Sequence, residues 1–360
     1  MNSKLITQNP MKKLLLLAVA VLLYSCGPKK TDAQLLVERI QKIQEKGYMF
    51  GHQDDPFYGT TWEWELDKSD TRLVTGDYPG VMGFELGGIE KDDAKNLDSV
   101  PFVRIHDEII NHYERGGVIT ISWHPRNPKT GGTAWDVTDR QTVKSILPGG
   151  ENHDLFMLWM GRMRTFLTSL KDSNGNQVPF MLRPWHEYNG SWFWWGQRLC
   201  SDDEFLALWN MFQDYMNEEL KDYVVWSFSP NLQGNWTVDA FEKRYPGDDR
   251  VDLIGEDCYQ WGTEKDFVTQ STADLKFLSQ YASEHGKLLA VTECGYQNSP
   301  DPTWWTRVLK PVLDQFPVSY MLCWRNASTE HFGPAPDLAT KDDFVKFYKA
   351  ENTLFLEDIR

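Results

Sequence analysis

Eight short apolar runs recur along the chain, at 48–51, 80–84, 118–122, 179–182, 224–227, 253–255, 288–291 and 319–322. Between them lie stretches whose apolar residues follow helical spacing, such as DLFMLWMGRMRTFLTSLKD (154–172) and SDDEFLALWNMFQDYMNEELKD (201–222). The second opens on Ser201, a favoured N-cap type, with acidic residues in the first turn where the helix dipole welcomes them. Nearly continuous apolar runs predict strands buried on both faces, and their alternation with helices predicts parallel pairing. Eight such units predict closure into a (β/α)8 TIM barrel of the α/β class. A doubly wound open sheet is the competing arrangement, but no G-x-G-x-x-G or phosphate loop follows the first run.

A barrel of this kind places its active site at the C-terminal ends of its strands. The residues that follow the runs are His52 and Asp54, Glu85, Trp123 and His124, His186 and Glu187, then Ser229 and Asn231. The last three runs lead to Glu256, Asp257 and Tyr259, then Glu293, then Trp324 and Arg325. Polar and aromatic side chains therefore collect on one predicted rim.

Composition refines this picture in two respects. Aromatic residues make up 14% of the 360, with 16 tryptophans, and several cluster in RPWHEYNGSWFWWG (183–196) beside polar groups. Indoles in that setting suit the apolar C–H faces of sugar rings. A net charge of −15 opposes nucleic acid as a partner, which calls for clustered Lys and Arg.

Residues 11–26, MKKLLLLAVAVLLYSC, give two lysines, ten apolar residues and a Leu-Tyr-Ser-Cys ending. Ten are too few to span a bilayer, which takes about 20, and they match a signal-peptide core. The ending resembles a bacterial lipobox, with Cys26 as the lipidated residue and Met11 as the more natural start. Lys29 and Lys30 follow, rather than an acidic run, so the expected placement is the outer membrane facing the periplasm. Residues 1–26 are then the signal, 27–35 a short tether and 36–360 a single catalytic domain. Cys200, Cys258, Cys294 and Cys323 form no C-x-x-C pair, which disfavours a zinc or redox site.

Two carboxyl groups stand out. Cleavage of a glycosidic bond needs one protonated carboxyl to assist the leaving oxygen and one ionised carboxylate to attack or to activate water. An ordinary Glu titrates near 4.3, so the acid needs apolar surroundings or a nearby negative charge. Glu187, set among aromatics and next to His186, suits the acid. Glu293, directly after an apolar run in LLAVTECGYQ, suits the nucleophile, with Thr292 and Tyr296 as neighbours able to favour its charge and Tyr259 as a hydroxyl donor. Strands four and seven face each other across a barrel mouth, so the pair can approach to about 5–5.5 Å, the retaining separation. Trp192 is the expected sugar platform, whereas Trp194 and Trp195 fit either platform or core. Trp123 with His124, and Trp324 with Arg325, fit either the site or the core.

RPWHEYNGSWFWWG resembles the acid/base motif of glycoside hydrolase family 26, and VTECGY its nucleophile strand. SWHPRNP, DCYQW and CWRNA are similar to that family's third, sixth and eighth strand-end motifs. The resemblance implies a retaining β-mannanase, with minorities of the family acting on mixed-linkage β-glucan or β-1,3-xylan. It implies Glu187 as acid/base, Glu293 as nucleophile, and His124, His186, Trp192, Tyr259, Trp324 and Arg325 as substrate-binding residues. It further implies no metal or other cofactor and a β-mannan or manno-oligosaccharide substrate; a monomer is expected. The mannose preference rests on the family majority alone. Two rivals remain: a non-catalytic sugar-binding lipoprotein, and a metal-dependent hydrolase using His52, His124 and His186. Internal cleavage and release of mannobiose from chain ends both stay open, since long connections after the third and fifth runs are able to wall one end of a cleft.

Overall fold

The computed structural model describes residues 29–360, in which eight parallel strands close into a barrel. They are β1 (Tyr48–Gln53), β2 (Val81–Glu85), β3 (Val118–Ser122), β4 (Phe180–Arg183), β5 (Val224–Phe228), β6 (Leu253–Tyr259), β7 (Leu288–Gly295) and β8 (Tyr320–Cys323). Closure is made by β1, which pairs in parallel with both β2 (Gly51 opposite Val81) and β8 (Met49 opposite Tyr320). A short β9 (Thr353–Leu354) adds to the start of β1. Each of the eight apolar runs overlaps a strand, as the pattern predicts.

The barrel has two apolar regions. Outward-facing residues such as Phe50, Phe84, Ile121 and Leu182 pack with the surrounding helices. A separate cluster fills the barrel's N-terminal end with Met49, Val81, Val118, Met181, Val225, Leu253 and Leu288. Ala33, Leu36, Ile40 and Ile43 join that cluster from the helix Asp32–Gln44. This corrects the predicted tether: an ordered helix begins at Asp32, inside the span assigned to 27–35. Its start is fixed by a capping box, in which Thr31 Oγ1 accepts from Gln34 N–H (3.2 Å) and Gln34 Oε1 accepts from Thr31 N–H (3.0 Å). Apolar residues at 33, 36, 40 and 43 then share one face, and burying Leu36 or Ile40 there contributes about 1.5–3 kcal/mol each. The helix plugs the end of the barrel opposite the predicted rim.

Helix Asp202–Leu220 begins where predicted. Ser201 Oγ accepts from Glu204 N–H (3.1 Å), and Glu204 returns the bond to Ser201 N–H (2.9 Å).

Strands β6 and β7 run past their apolar stretches, to Tyr259 and Gly295. Their polar residues stay in the ladder because they satisfy one another: Thr292 Oγ1 donates to Asp257 Oδ1 at 2.6 Å. The register between the two strands shifts here, Glu256 facing Val291 but Asp257 facing Glu293. Thr292 is the extra residue of a β-bulge, a device that re-aims side chains beside functional sites. Gly255 makes room for it, since a Cβ there would lie 2.5 Å from the Thr292 side chain. The bulge sets the direction of the next residue, Glu293.

Candidate active site

β4 ends at Arg183, and the chain then turns sharply. Trp185 and Glu187 both adopt left-handed backbone conformations (φ 52° and 54°), which cost energy for residues bearing a Cβ. The turn is held from several sides. Glu187 N–H donates to Ser229 O (2.8 Å), and Gly190 N–H donates to Glu187 O (2.8 Å). Trp195 Nε1–H donates to His186 O (2.9 Å), while Trp194 Nε1–H donates to Pro125 O (3.0 Å). Trp194 and Trp195 are fully buried, so they belong to the core and brace the site from behind. Trp123 is likewise buried, its indole N–H on Glu90 at 3.1 Å, and takes no part in the cavity wall.

In front of this turn lies a cavity of about 510 Å³ lined by His124, His186, Glu187, Trp192, Tyr259, Glu293 and Trp324. Seven of the eight substrate-site residues predicted from sequence therefore meet on one wall. The eighth, Arg325, does not: its guanidinium turns to Asp98 (3.5 Å) and stands behind Glu330, which does face the cavity. A largely buried Arg beside Asp98, Asp54 and Glu330 finds more favourable partners there than in an aromatic cleft. Trp135, Phe193, Asn231, Trp261 and Phe332 complete the wall. Trp135 comes from the long connection after β3, and Asn231 from the one after β5. Clefts of about 720 and 830 Å³ lie among the outer helices and beside the Asp32–Gln44 helix, and neither touches Glu187 or Glu293. Cys26 lies outside the described residues.

The two carboxyls sit in contrasting surroundings. Burial pushes Glu187 up to about 7, and the nearby charge of Glu293 adds to that push. Its one close donor is the Trp192 indole N–H, 2.5 Å from Oε2. Trp192 reaches this position because its ring lies over Gly190, where a Cβ would come within 2.4 Å of it. The platform residue thus also orients the acid, and at 40% exposure it keeps a free face.

Glu293 receives two strong donors. The Arg183 guanidinium contacts Oε1, and the Tyr259 hydroxyl donates to Oε2 at 2.7 Å. Thr292 and Tyr296, the neighbours expected to favour its charge, do not supply these bonds. Thr292 is committed to Asp257 instead. The bulge explains this, because it turns residues 292 and 293 towards different partners. Burial, followed by the Glu293 charge, raises the Tyr259 hydroxyl well above its usual range, so it remains a donor.

Arg183 also donates to Asp257 Oδ2 at 2.8 Å. Burial works against its charge, but Asp257 and Glu293 more than offset that. One guanidinium thus serves Asp257 and Glu293 while Glu187 has none. Ionising all three would leave excess negative charge in a desolvated site: burial, with Glu293 and Glu187, raises Asp257 well above the usual carboxylate range against the pull of Arg183, and Glu187, with no guanidinium bonded to it, is raised as well. Arg183 opens the RPWHEYNGSWFWWG motif, and its role emerges only from these contacts. The available signal was an Arg ending an otherwise apolar strand, a buried cation that must find carboxylates.

His186, Asp257 and Glu293 form the one group of three or more potential ligands within 4.8 Å of one another among the described residues. Arg183 already bridges two of them, so a cation would have to displace a guanidinium. The alternative histidine trio does not converge. His52 is bound to Asp55 (2.6 Å) and Thr71 (3.2 Å), away from the cavity. The four described cysteines are free and buried.

An acid raised by burial and a carboxylate held by two donors, facing one aromatic cavity at the C-terminal rim of a (β/α)8 barrel, form the arrangement that two-carboxyl glycosidases use. The chain belongs to glycosyl hydrolase family 26, whose family model matches residues 27–293. It is similar to the mannan endo-1,4-β-mannosidase of Bifidobacterium adolescentis, at 29% identity over 72% of this chain and 28% of that protein. The corresponding enzyme of Bacillus subtilis strain 168 is 26% identical over 71% of this chain and 68% of its own. The chain thus spans little more than a quarter of the first relative. Among solved structures, a GH26 β-mannanase from Bacteroides ovatus superposes with a TM-score of 0.89 and 43% identity, covering 92% of this chain and 96% of that one. The catalytic domain of a Bacillus sp. JAMB-750 GH26 endo-β-1,4-mannanase gives 0.84 and 27%, covering 91% and 92%.

The protonation of Glu187 leads to a prediction. A raised carboxyl holds its proton below its pKa and loses it above, and the leaving-group oxygen needs that proton. The kcat/KM profile should therefore fall on the alkaline side with a midpoint near 7, the value to which Glu187 is pushed. A rate constant flat from pH 6 to 9 would remove Glu187 from the acid's role.

Proposed function

We propose that this protein is a retaining β-mannanase, cleaving β-1,4-mannosidic bonds in mannan, galactomannan or manno-oligosaccharides by double displacement. The observation that carries this reading is the division of labour between Glu187, buried and near 7, and Glu293, held by Arg183 and Tyr259. In the first step Glu293 attacks the anomeric carbon while Glu187 gives its proton to the departing glycosidic oxygen. The glycosidic bond breaks, an ester to Glu293 forms, and the leaving saccharide departs as a neutral alcohol. In the second step the Glu187 carboxylate takes a proton from water as that water attacks the same carbon. The ester breaks, Glu293 is freed and Glu187 regains its proton. Exposed indoles at Trp135, Trp192 and Trp261 offer stacking surfaces for the sugars on either side of the cut. The mannan preference is supported by the names of the relatives and structural neighbours above.

The test is a time course on mannohexaose and linear mannan, with mixed-linkage β-glucan and β-1,3-xylan in parallel. Cleavage of the mannan substrates is expected. Mannobiose as the sole early product establishes chain-end attack, and a mixed ladder establishes internal cleavage. Turnover of glucan or xylan with mannan untouched would replace the substrate assignment.

Cys26 carries a lipid that anchors the enzyme to the outer membrane on the periplasmic side, supported by the Lys-Lys, apolar run and Leu-Tyr-Ser-Cys ending of residues 11–26. Cys26→Ser should abolish incorporation of labelled palmitate and release the protein from membranes. Unchanged labelling would refute the anchor.

A further inference from the structure

Glu85 closes β2 at 1% exposure and receives four donors. Oε1 accepts from the backbone N–H of Gly87 (2.6 Å) and of His124 (2.8 Å). Oε2 accepts from the Ser122 hydroxyl and from His124 Nδ1, both at 2.7 Å. Burial alone would favour its neutral form, but His124 and these bonds more than reverse that and hold Glu85 below the usual carboxylate range. His124 Nδ1 therefore carries a hydrogen.

The other nitrogen of His124 lies 2.9 Å from His186 Nε2. Two ring nitrogens at that distance share a single proton. Burial, together with Arg183 and His124, drives His186 well below the ordinary histidine range, so its ring is neutral. Burial also opposes charge on His124, but Glu85 outweighs it and raises this ring instead. With Nδ1–H given to Glu85, a second proton on Nε2 would make His124 the donor to His186. His186 Nδ1 has no hydrogen-bond partner among the described residues. The His124 bond is thus the one polar hold on the His186 ring, and His186 lies between the two left-handed residues, Trp185 and Glu187.

We propose that Glu85 is a positioning residue for glycoside cleavage, which acts through His124 to lock His186 and with it the strained turn that presents Glu187. This rests on the mannanase reading above. The groups facing His124 are Glu85 on β2, Arg183 and His186 at the end of β4, Glu293 on β7, and Asp98 and Glu187 from the adjoining loops. A charged His124 also tempers the rise of Glu187, so loss of that charge lets Glu187 climb further.

The test compares Glu85→Gln with Glu85→Asp. Glutamine keeps the shape but not the charge. It should lower kcat by about 100-fold, the scale of a small misplacement of a reacting group, with KM changed less than about threefold. It should also move the alkaline limb upward. Aspartate keeps the charge and should leave the limb at its wild-type position, even if kcat falls. Glutamine with wild-type kcat and limb, or both variants with equally depressed kcat and unmoved limbs, would overturn the proposal. Long-range ¹H–¹⁵N spectra of wild-type histidine rings provide a readout that does not depend on variant folding. Two protonated nitrogens on His124 at pH 7 support the relay, and a neutral ring refutes it. Because that spectrum needs no substrate, it separates failure of the relay from failure of the mannanase reading, which the mannohexaose time course decides.

Discussion

Glu293→Ala should reduce kcat on mannohexaose by on the order of 10⁴-fold or more, the scale seen when an enzyme loses its covalent nucleophile. The loss should be this large because neither Arg183 nor Tyr259 can replace the carboxylate they orient. Removing Glu293 leaves space on one face of the anomeric carbon with the acid still in place on the other. Azide should enter that space and yield the α-mannosyl azide, with inverted configuration. A variant retaining more than a few per cent of wild-type turnover would show that attack comes from elsewhere.

Glu187→Ala should separate substrates by leaving group. Mannohexaose, whose leaving oxygen must be protonated, should lose about 10²–10⁴-fold in kcat, the range for a general acid. A dinitrophenyl β-mannobioside needs no proton, so formation of its glycosyl-enzyme should be nearly unaffected. Azide should then react with that intermediate from the opposite face and give the β-mannosyl azide. The two variants thus differ in the anomer that azide produces. The alkaline limb near pH 7 should vanish with Glu187, since burial of that carboxyl is what sets it. Equal losses on both substrates would mean that Glu187 supports the fold rather than proton transfer.

Much of this site was legible before any coordinates. Parallel strands covered on both faces read as plain apolar runs, so the eight units and their common rim follow from the pattern. Glu293 was visible because it closely follows such a run, and Glu187 because it is a lone carboxyl among aromatics just beyond one. Other features lay beyond a pattern of apolar and polar positions. The bulge at Thr292 adds one residue to a strand without any change in composition, yet it decides which partners Thr292 and Glu293 meet. Arg183 finds Asp257 and Glu293 at sequence separations of 74 and 110, contacts that only barrel closure creates. Arg325 illustrates the reverse case, a residue next to the wall whose side chain answers to Asp98. The Asp32–Gln44 helix was within reach, since Ala33, Leu36, Ile40 and Ile43 carry helical spacing just after a threonine cap.

The central claim is that a neutral Glu187 and a charged Glu293 act on one sugar carbon from opposite sides. Its most direct test is to trap the enzyme with a 2-deoxy-2-fluoro β-mannosyl donor bearing a good leaving group, then map the modified peptide by mass spectrometry. The account predicts one ester per chain, on Glu293, with Glu187 unmodified. An ester on any other side chain would contradict it.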